Sequence, residues 1–481
     1  MTLSDEQKSI IEDTSDVSMV IAGAGSGKSF TMVNKIKYLL DNNILKEDEI
    51  CAITYTNKAV DSLKNKIYDL TNKNIDVFTF HKLSLNILDR ANICYEIVSD
   101  DYFDKLIDEY FNTNCFGNEI LIKIIYKYLN IYVFKKYYYK KFLNSYKYIE
   151  LKKLIKSFIS YMRSNDLEYK WSELLKNKKY QNILLIIYSL YTLYLNELSS
   201  SNLIDFDSMI IKANEVIVNK QIKIPYKYII IDEFQDTSLL RFNLIKSIVD
   251  NYHTKLCVVG DDYQSIYKFQ GCDLDLFINF NNYYEDTKVF YLNKTYRNSQ
   301  ELIDVAGSFI NKNDKQIKKN LVSDIHLKNP INIIYYFNED NVLIKLLKKI
   351  NSEDILILSR NNFDIKKYVN NYEIINNELY IDNVDKRLKY MTIHSSKGLE
   401  SDVVIILNMS NDIYGMPGRV KDNEVISLLK GEETLDEERR LFYVALTRTK
   451  SYVYLLTPMF NESMFIKEIK KANNVNISLI I

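Results

Sequence analysis

Apolar residues along this chain follow two patterns. Short, nearly unbroken runs occupy 17–21, 50–56, 77–81, 228–232, 255–260, 289–292, 354–358 and 401–407. Runs of that length, rich in Ile and Val, predict strands buried on both faces of a parallel sheet. Elsewhere apolar positions return every three or four residues, as at 30–40 and 435–444, which predicts helices packed on such a sheet. From about 100 to 200 only the helical period is present, with many charges, and this stretch predicts an all-α insertion. The chain therefore predicts an α/β fold. A first unit spans 1–95 and 201–283, a helical insertion occupies 96–200, and a second α/β unit covers 284–481.

The residues that end the runs carry the chemistry. The run at 228–232 stops in Asp232 and Glu233, and ligands of open α/β sheets sit at the carboxyl ends of strands. Asp232 is suited to hold a metal ion, directly or through its water. Glu233, one residue on, is expected to point the other way and act as general base on a water. The run at 17–21 leads into Ala22, Gly23, Ala24, Gly25, Ser26, Gly27, Lys28 and Ser29, then into a helical pattern. Strand, glycine-rich loop and helix in that order is the setting of a phosphate loop. Its backbone N–H groups turn onto phosphate oxygens at a helix N-terminus, Lys28 reaches the β- and γ-phosphates, and Ser29 offers a hydroxyl to Mg²⁺. Ala22 replaces the first glycine of the usual pattern. Loop and acid pair together point to a bound nucleoside triphosphate with Mg²⁺.

Other positions admit two readings each. Gln7, in a helix just before the first strand, offers a donor and an acceptor to an adenine edge, or is a solvated helix residue. Thr56, Thr79 and His81 at strand ends suit phosphate contact and Tyr55 suits base stacking; each also reads as a cap or a core aromatic. The tract Phe134-Lys-Lys-Tyr-Tyr-Tyr-Lys-Lys-Phe142 combines charge with stacking surface, or is a solvated helix face. Gln264 ends the run at 255–260 and is placed to sense a γ-phosphate, with Tyr267 and Phe269 near enough to face a base. Arg297 and Arg448, far from the loop in sequence, are what a two-lobed motor needs across its cleft; singly, each reads as a surface ion pair.

Composition narrows the class. A chain of 481 residues carries a soft prior of about three domains. Its net charge is zero, so a nucleic-acid surface has to be a local groove. Five cysteines without a CxxC argue against zinc, iron–sulfur clusters and disulfides, and for a reducing cytoplasm. Residues 1–16 read as a polar amphipathic helix rather than a leader, and no apolar run is expected to reach membrane-spanning length.

The strings AGAGSGKS, AITYTNKAV, TFHKL, IIIDEFQDTS, VGDDYQSIYKFQG, LNKTYRNS, TIHSSKGLE and EERRLFYVALTRTK occur in that order between 7 and 450. The ordered set resembles a UvrD/Rep-type superfamily 1A DNA helicase, and GDDYQSIYKFQGCDLDLF and YRNSQELIDVAGSFI lean toward the helicase IV branch. The resemblance implies two RecA-like P-loop NTPase lobes, ATP and Mg²⁺ as cofactors, and 3′–5′ movement on single-stranded DNA coupled to strand separation or protein displacement. It implies that Gln7 and Tyr296 hold adenine, that Gly25, Gly27, Lys28 and Ser29 hold phosphates and metal, and that Glu400 contacts nucleotide. Gln264, Arg297 and Arg448 would sense the γ-phosphate. Tyr55, Thr56, Thr79, His81, Tyr267, Phe269, Thr392 and His394 would line the single strand. Phe269 and Gln270 stand where the family often has Trp and Arg. Relatives insert a second helical domain, called 2B, between the strands ending near 360 and starting near 390. Here that gap is about 30 residues, too short for an independent core, so 2B is expected to be absent or vestigial. A minimal motor, monomeric when free, is then expected to bind single strands and single-strand/duplex junctions and to unwind weakly without a nuclease or repair-protein partner. The helicase subunit of the Gabija anti-phage system is similarly compact. A clamp or protein-displacing translocase that never unwinds, and a structural subunit that does not hydrolyse, remain the other classes.

Overall fold

The computed structural model describes residues 3–115, 118–131, 138–431 and 435–480. Two sheets organise it, the first all-parallel and the second parallel except for an antiparallel edge. The first has six strands in the order Asp76–Thr79, Ile50–Thr54, Tyr228–Ile231, Lys255–Gly260, Val17–Ala22 and Lys288–Leu292. All of its pairings are parallel, and helices cover both faces, which is why its strands read as unbroken apolar runs. Lys288–Leu292 corrects an expectation. Sequence order places it in the second unit, yet it pairs with Val17–Ala22 from Ser18↔Lys288 to Ala22↔Leu292. An apolar run identifies a strand but carries no label for the sheet that needs an edge.

The second sheet has eight strands, ordered Tyr372–Ile375, Glu378–Ile381, Arg387–Thr392, Asp354–Ser359, Ser401–Ile406, Thr449–Pro458, Ile331–Tyr336 and Val475–Ile480. Ile331–Tyr336 and Val475–Ile480 carry no motif, and with Thr449–Pro458 they lie outside the strands that the sequence predicts. The short interval after Arg360 folds as an antiparallel hairpin, Tyr372–Ile375 with Glu378–Ile381, that extends this sheet through Arg387–Thr392.

The insertion leaves and rejoins the first lobe through a two-residue parallel pair, Glu96–Ile97 with Leu203–Ile204. Its core is helical, built around Tyr146–Ser164 and Gln181–Ser200. Gln181–Ser200 corrects the expectation that no apolar run reaches membrane-spanning length, because by length and composition it does. In the fold, its Ile183, Leu184, Ile187 and Leu190 are buried against the other insertion helices. Of the Lys–Tyr tract, 134–137 lie outside the described residues. Further along, Tyr139 and Phe142 are core residues and Lys140 and Lys141 are exposed, as on a solvated helix face. One helix of the second lobe, Glu424–Lys430, places Val425, Ile426 and Leu429 in the core of the insertion.

Candidate functional site

The phosphate loop follows Val17–Ala22 at the carboxyl edge of the first sheet. Gly25 and Gly27 adopt left-handed φ of 71° and 81°, a region that costs other residues about 1 kcal/mol or more. Gly25 is also hemmed in: a Cβ there would lie 2.6 Å from the Cβ of Arg297 and 2.7 Å from Oγ1 of Thr295. The second lobe thus meets the loop directly. Thr295 donates its hydroxyl to the Ala24 carbonyl at 2.7 Å, and the Tyr296 N–H donates to the Gly25 carbonyl at 2.9 Å. Gly23 donates its N–H to the Leu292 carbonyl. The helix Lys28–Asp41 starts at the loop's end, with Lys28 and Ser29 in its first turn. Ser26 Oγ is buried with no hydrogen-bond partner among the described residues.

Asp232 and Glu233 stand beside this loop. The strand ends at Ile231, and Glu233 takes a left-handed φ of 52°. That conformation costs a non-glycine residue of order 1–3 kcal/mol. It turns the Glu233 carboxylate back to the Lys28 ammonium at 3.2 Å. Asp232 Oδ1 accepts the Glu233 N–H at 2.9 Å. Gln235 fixes the arrangement, donating its side-chain amide to Glu233 at 2.6 Å and accepting the Asp261 N–H at 2.9 Å. Burial opposes the charge on Lys28, but Glu233, Asp261 and Asp232 outweigh it and hold its pKa above the usual lysine value. Burial also opposes ionisation of Glu233, but Lys28 and Lys397 keep its carboxyl below the ordinary range. Burial and the neighbouring Glu233 push Asp232 up. The two carboxylates are thus driven apart, and Glu233 is the one held charged.

Residues of the second lobe close the cleft. Arg448 is fully buried and donates to Gln264 Oε1 at 2.8 Å and to the Val444 carbonyl at 3.0 Å. Burial and the nearby Arg297 lower its pKa to about 10. Arg297 pairs with Glu400 at 2.8 Å and donates to the Thr447 carbonyl at 3.3 Å. Lys397, which sequence reasoning did not single out, crosses to Asp236 and to the Gln264 carbonyl. Gln7 and Tyr296 flank Gly27, with the Gln7 amide nitrogen 3.3 Å and the Tyr296 ring 4.0 Å from a Cβ built there. Gln7 Oε1 is engaged by the Ser4 N–H in a capping box, which leaves its amide N–H₂ facing the loop.

The remaining candidates form two groups. Thr56 and Thr79 are N-caps, accepting the N–H of Ala59 and Lys82, an arrangement worth about 1 kcal/mol each. Tyr55 packs on Phe80, His81 on Phe206, and Arg241 lies over Tyr55. The second group spans both lobes. Tyr267 donates its hydroxyl to the His394 carbonyl at 3.0 Å, Phe269 sits 5.5 Å from the His394 ring and is half exposed, and Thr392 bonds Ser395. Thr237 meets the Tyr55 hydroxyl, and its carbonyl accepts the Asp273 N–H.

The sequence that builds this site has relatives among known proteins. Residues 3–285 match the family model described as UvrD/REP helicase N-terminal domain, and 364–458 match the UvrD-like helicase C-terminal domain. The ATP-dependent DNA helicase Rep of Buchnera aphidicola subsp. Acyrthosiphon pisum is 28% identical over 442 residues, covering 87% of this chain and 64% of the relative. A probable DNA helicase II homolog of Mycoplasma capricolum is 32% identical over 326 residues, 65% of this chain and 41% of the relative. DNA helicase IV of Escherichia coli is 28% identical over 480 residues, 95% of this chain and 68% of the relative. The chain thus spans less than two thirds of the length of the first two of these curated relatives. With the N-terminal match alone covering more than half of it, the chain belongs to the UvrD/REP helicase family.

Proposed function

We propose that this chain is an ATP-dependent DNA helicase and translocase that moves 3′ to 5′ on single-stranded DNA and engages single-strand/duplex junctions. One observation carries the reading: Lys28 and Glu233 of the first lobe share a cleft with Arg297, Lys397 and Arg448 of the second. The names of the relatives, ATP-dependent DNA helicase and DNA helicase IV, support it.

In this reading Gln7 and Tyr296 hold the adenine, and the backbone of 22–27 with Lys28 holds the phosphates. Ser29 and Asp232 would hold Mg²⁺; hydroxyl and carboxylate oxygens suit that ion. The Ser26 hydroxyl, without a hydrogen-bond partner among the described residues, and the left-handed backbone at Gly25 and Gly27 fit a phosphate group lying against the loop. Bound there, Mg²⁺ supplies charge neutralisation to phosphate oxygens. Glu233, kept ionised and oriented by Gln235, accepts the proton of the attacking water. Arg448 and Arg297 stabilise charge on the transferred phosphoryl group, a contribution of about 10³–10⁵ in rate. Glu400 holds Arg297 until the triphosphate competes for it. Each cycle of closing and opening moves Thr392 and His394 of the second lobe relative to Tyr55, His81, Tyr267 and Phe269 of the first, which shifts stacked bases along the groove.

Lys28→Ala and Glu233→Gln are expected to abolish DNA-stimulated ATP hydrolysis, with Glu233→Gln still binding nucleotide. Normal turnover by Glu233→Gln overturns the assignment of the base. The hairpin that occupies the interval 372–381 favours a second reading alongside the first: a motor that unwinds weakly alone and works as the ATPase subunit of a nuclease or anti-phage defence complex. Processive unwinding of long duplexes by the isolated chain at low concentration excludes it.

A further inference from the structure

Lys319 lies on an arm of the second lobe that reaches back onto the first sheet. The arm follows the helix Gln300–Ile310, which packs in the second lobe's core. Its Gln316 side chain and Ile317 N–H both donate to Asp262, at 2.6 and 2.8 Å. Leu321 seals the outer side of Gly23, where a Cβ would come within 2.5 Å of it. Between these contacts the Lys319 side chain enters the interior, 1% exposed, beside Asp261 and Asp262, both 0% exposed. Its ammonium bonds Asp261, lies 2.6 Å from Asp262, donates to the Ala22 carbonyl at 3.1 Å and sits 4.0 Å from the centre of the Tyr263 ring.

These partners are two steps from the cleft. Ala22 is the last residue before the Gly23 turn. Asp261 accepts the Gln264 side-chain amide, whose oxygen accepts Arg448. A continuous polar chain therefore runs from the phosphate-loop strand through Lys319, Asp261 and Gln264 to Arg448. The orientation of the Gln264 amide is fixed at both ends of that chain, nitrogen to Asp261 and oxygen to Arg448.

We propose that Lys319 is a positioning residue of the ATP site, holding Asp261 so that Gln264 and Arg448 meet the γ-phosphate in register; the inference rests on the ATPase reading above. A buried cation between two acids contributes little to stability compared with apolar residues of the same volume, whereas three elements that have to keep one geometry gain specificity from it. Burial opposes the charge on Lys319, but Asp261 and Asp262 outweigh it and keep the ammonium charged.

The test compares wild type, Lys319→Met, Lys319→Arg, Gln264→Ala and the Lys319→Met/Gln264→Ala pair as full chains. DNA-stimulated turnover and the affinities for ADP and a non-hydrolysable ATP analogue are read for each. Lys319→Met is expected to lower kcat at least tenfold, to leave ADP affinity within threefold, and to lose preference for the triphosphate analogue. Lys319→Arg is expected to recover part of the loss. The double variant is expected to be no slower than Gln264→Ala alone, because both changes break the same chain. Additive losses, or equal losses of ADP and triphosphate affinity, overturn the positioning role. Should Lys319→Met fail to fold, Lys319→Arg decides: wild-type triphosphate preference and rate in that variant, despite its altered geometry at Asp261, also overturn it. A wild-type chain without DNA-stimulated turnover removes the functional reading itself and this inference with it. Wild-type turnover left unchanged by Lys319→Met removes the inference alone.

Discussion

His81 and His394 are partly buried on the two sides of the proposed strand-binding groove. Burial, with Arg241 facing His81 and Arg360 facing His394, lowers each pKa to about 4. Unfolded histidines titrate near 6.5, so between about pH 6.5 and 4 the unfolded chain takes up protons that the folded one refuses. Stability from these two groups is therefore complete above pH 6.5 and falls as the pH drops toward 4. Denaturant midpoints at pH 7.5 and 5.0 are expected to diverge less for His394→Gln than for wild type, and an unchanged gap counts against the buried neutral imidazole. At this scale the sequence was informative where chemistry is local. Lys28 sits at a fixed place in its loop, and Asp232 ends an apolar run. It was silent where a residue matters through a distant partner: Gln235 meets Asp261, Lys397 meets Asp236, and neither side chain has a spacing that betrays this. Nor is the left-handed turn at Glu233 legible, because strand alternation holds only inside a strand and this one stops at Ile231.

Among the elements, Glu424–Lys430 has the least obvious place. It belongs to the second lobe by sequence, yet its apolar face lies in the core of the insertion. Tyr128 donates to Asn423 at 2.8 Å, and the Lys179–Glu424 pair is too exposed to add much. Docking therefore rests on Val425, Ile426 and Leu429, three side chains on a helix of seven residues. A Leu→Ala change in a core costs about 2–5 kcal/mol, but here the loss is capped by the docking energy of so short a helix. Leu429→Ala is expected to speed limited proteolysis within 419–431 severalfold and barely shift the global melting temperature. A large drop in melting temperature without faster cleavage contradicts this. The same element shows why the sequence reading stopped short: its pattern states that one face is buried, and nothing in it states against what.

For the whole molecule, the two lobes are interwoven by the chain between them. Lys288–Leu292 completes the first sheet, Gln300–Ile310 lies in the second core, the arm carrying Lys319 and Leu321 returns to the first, and Ile331–Tyr336 enters the second sheet. The apolar runs made the α/β class readable, and the uniform helical period marked the insertion. The interweaving was not legible, because each segment is locally consistent with either lobe. A fragment of residues 1–285, where the N-terminal family match stops, leaves Val17–Ala22 without its outer neighbour and Asp261 and Asp262 without Lys319. It is expected to melt at a markedly lower temperature than the full chain, or to aggregate; a melt like that of the full chain refutes the interdependence.

The same interweaving constrains recombination. A crossover placed anywhere between 288 and 331 hands one parent's strand, helix or arm to the other parent's lobe. Hybrids of two such proteins joined at a single breakpoint therefore inherit a mismatched seam, and engineering a working chimera requires exchanging this linker together with the surfaces it touches on both sides.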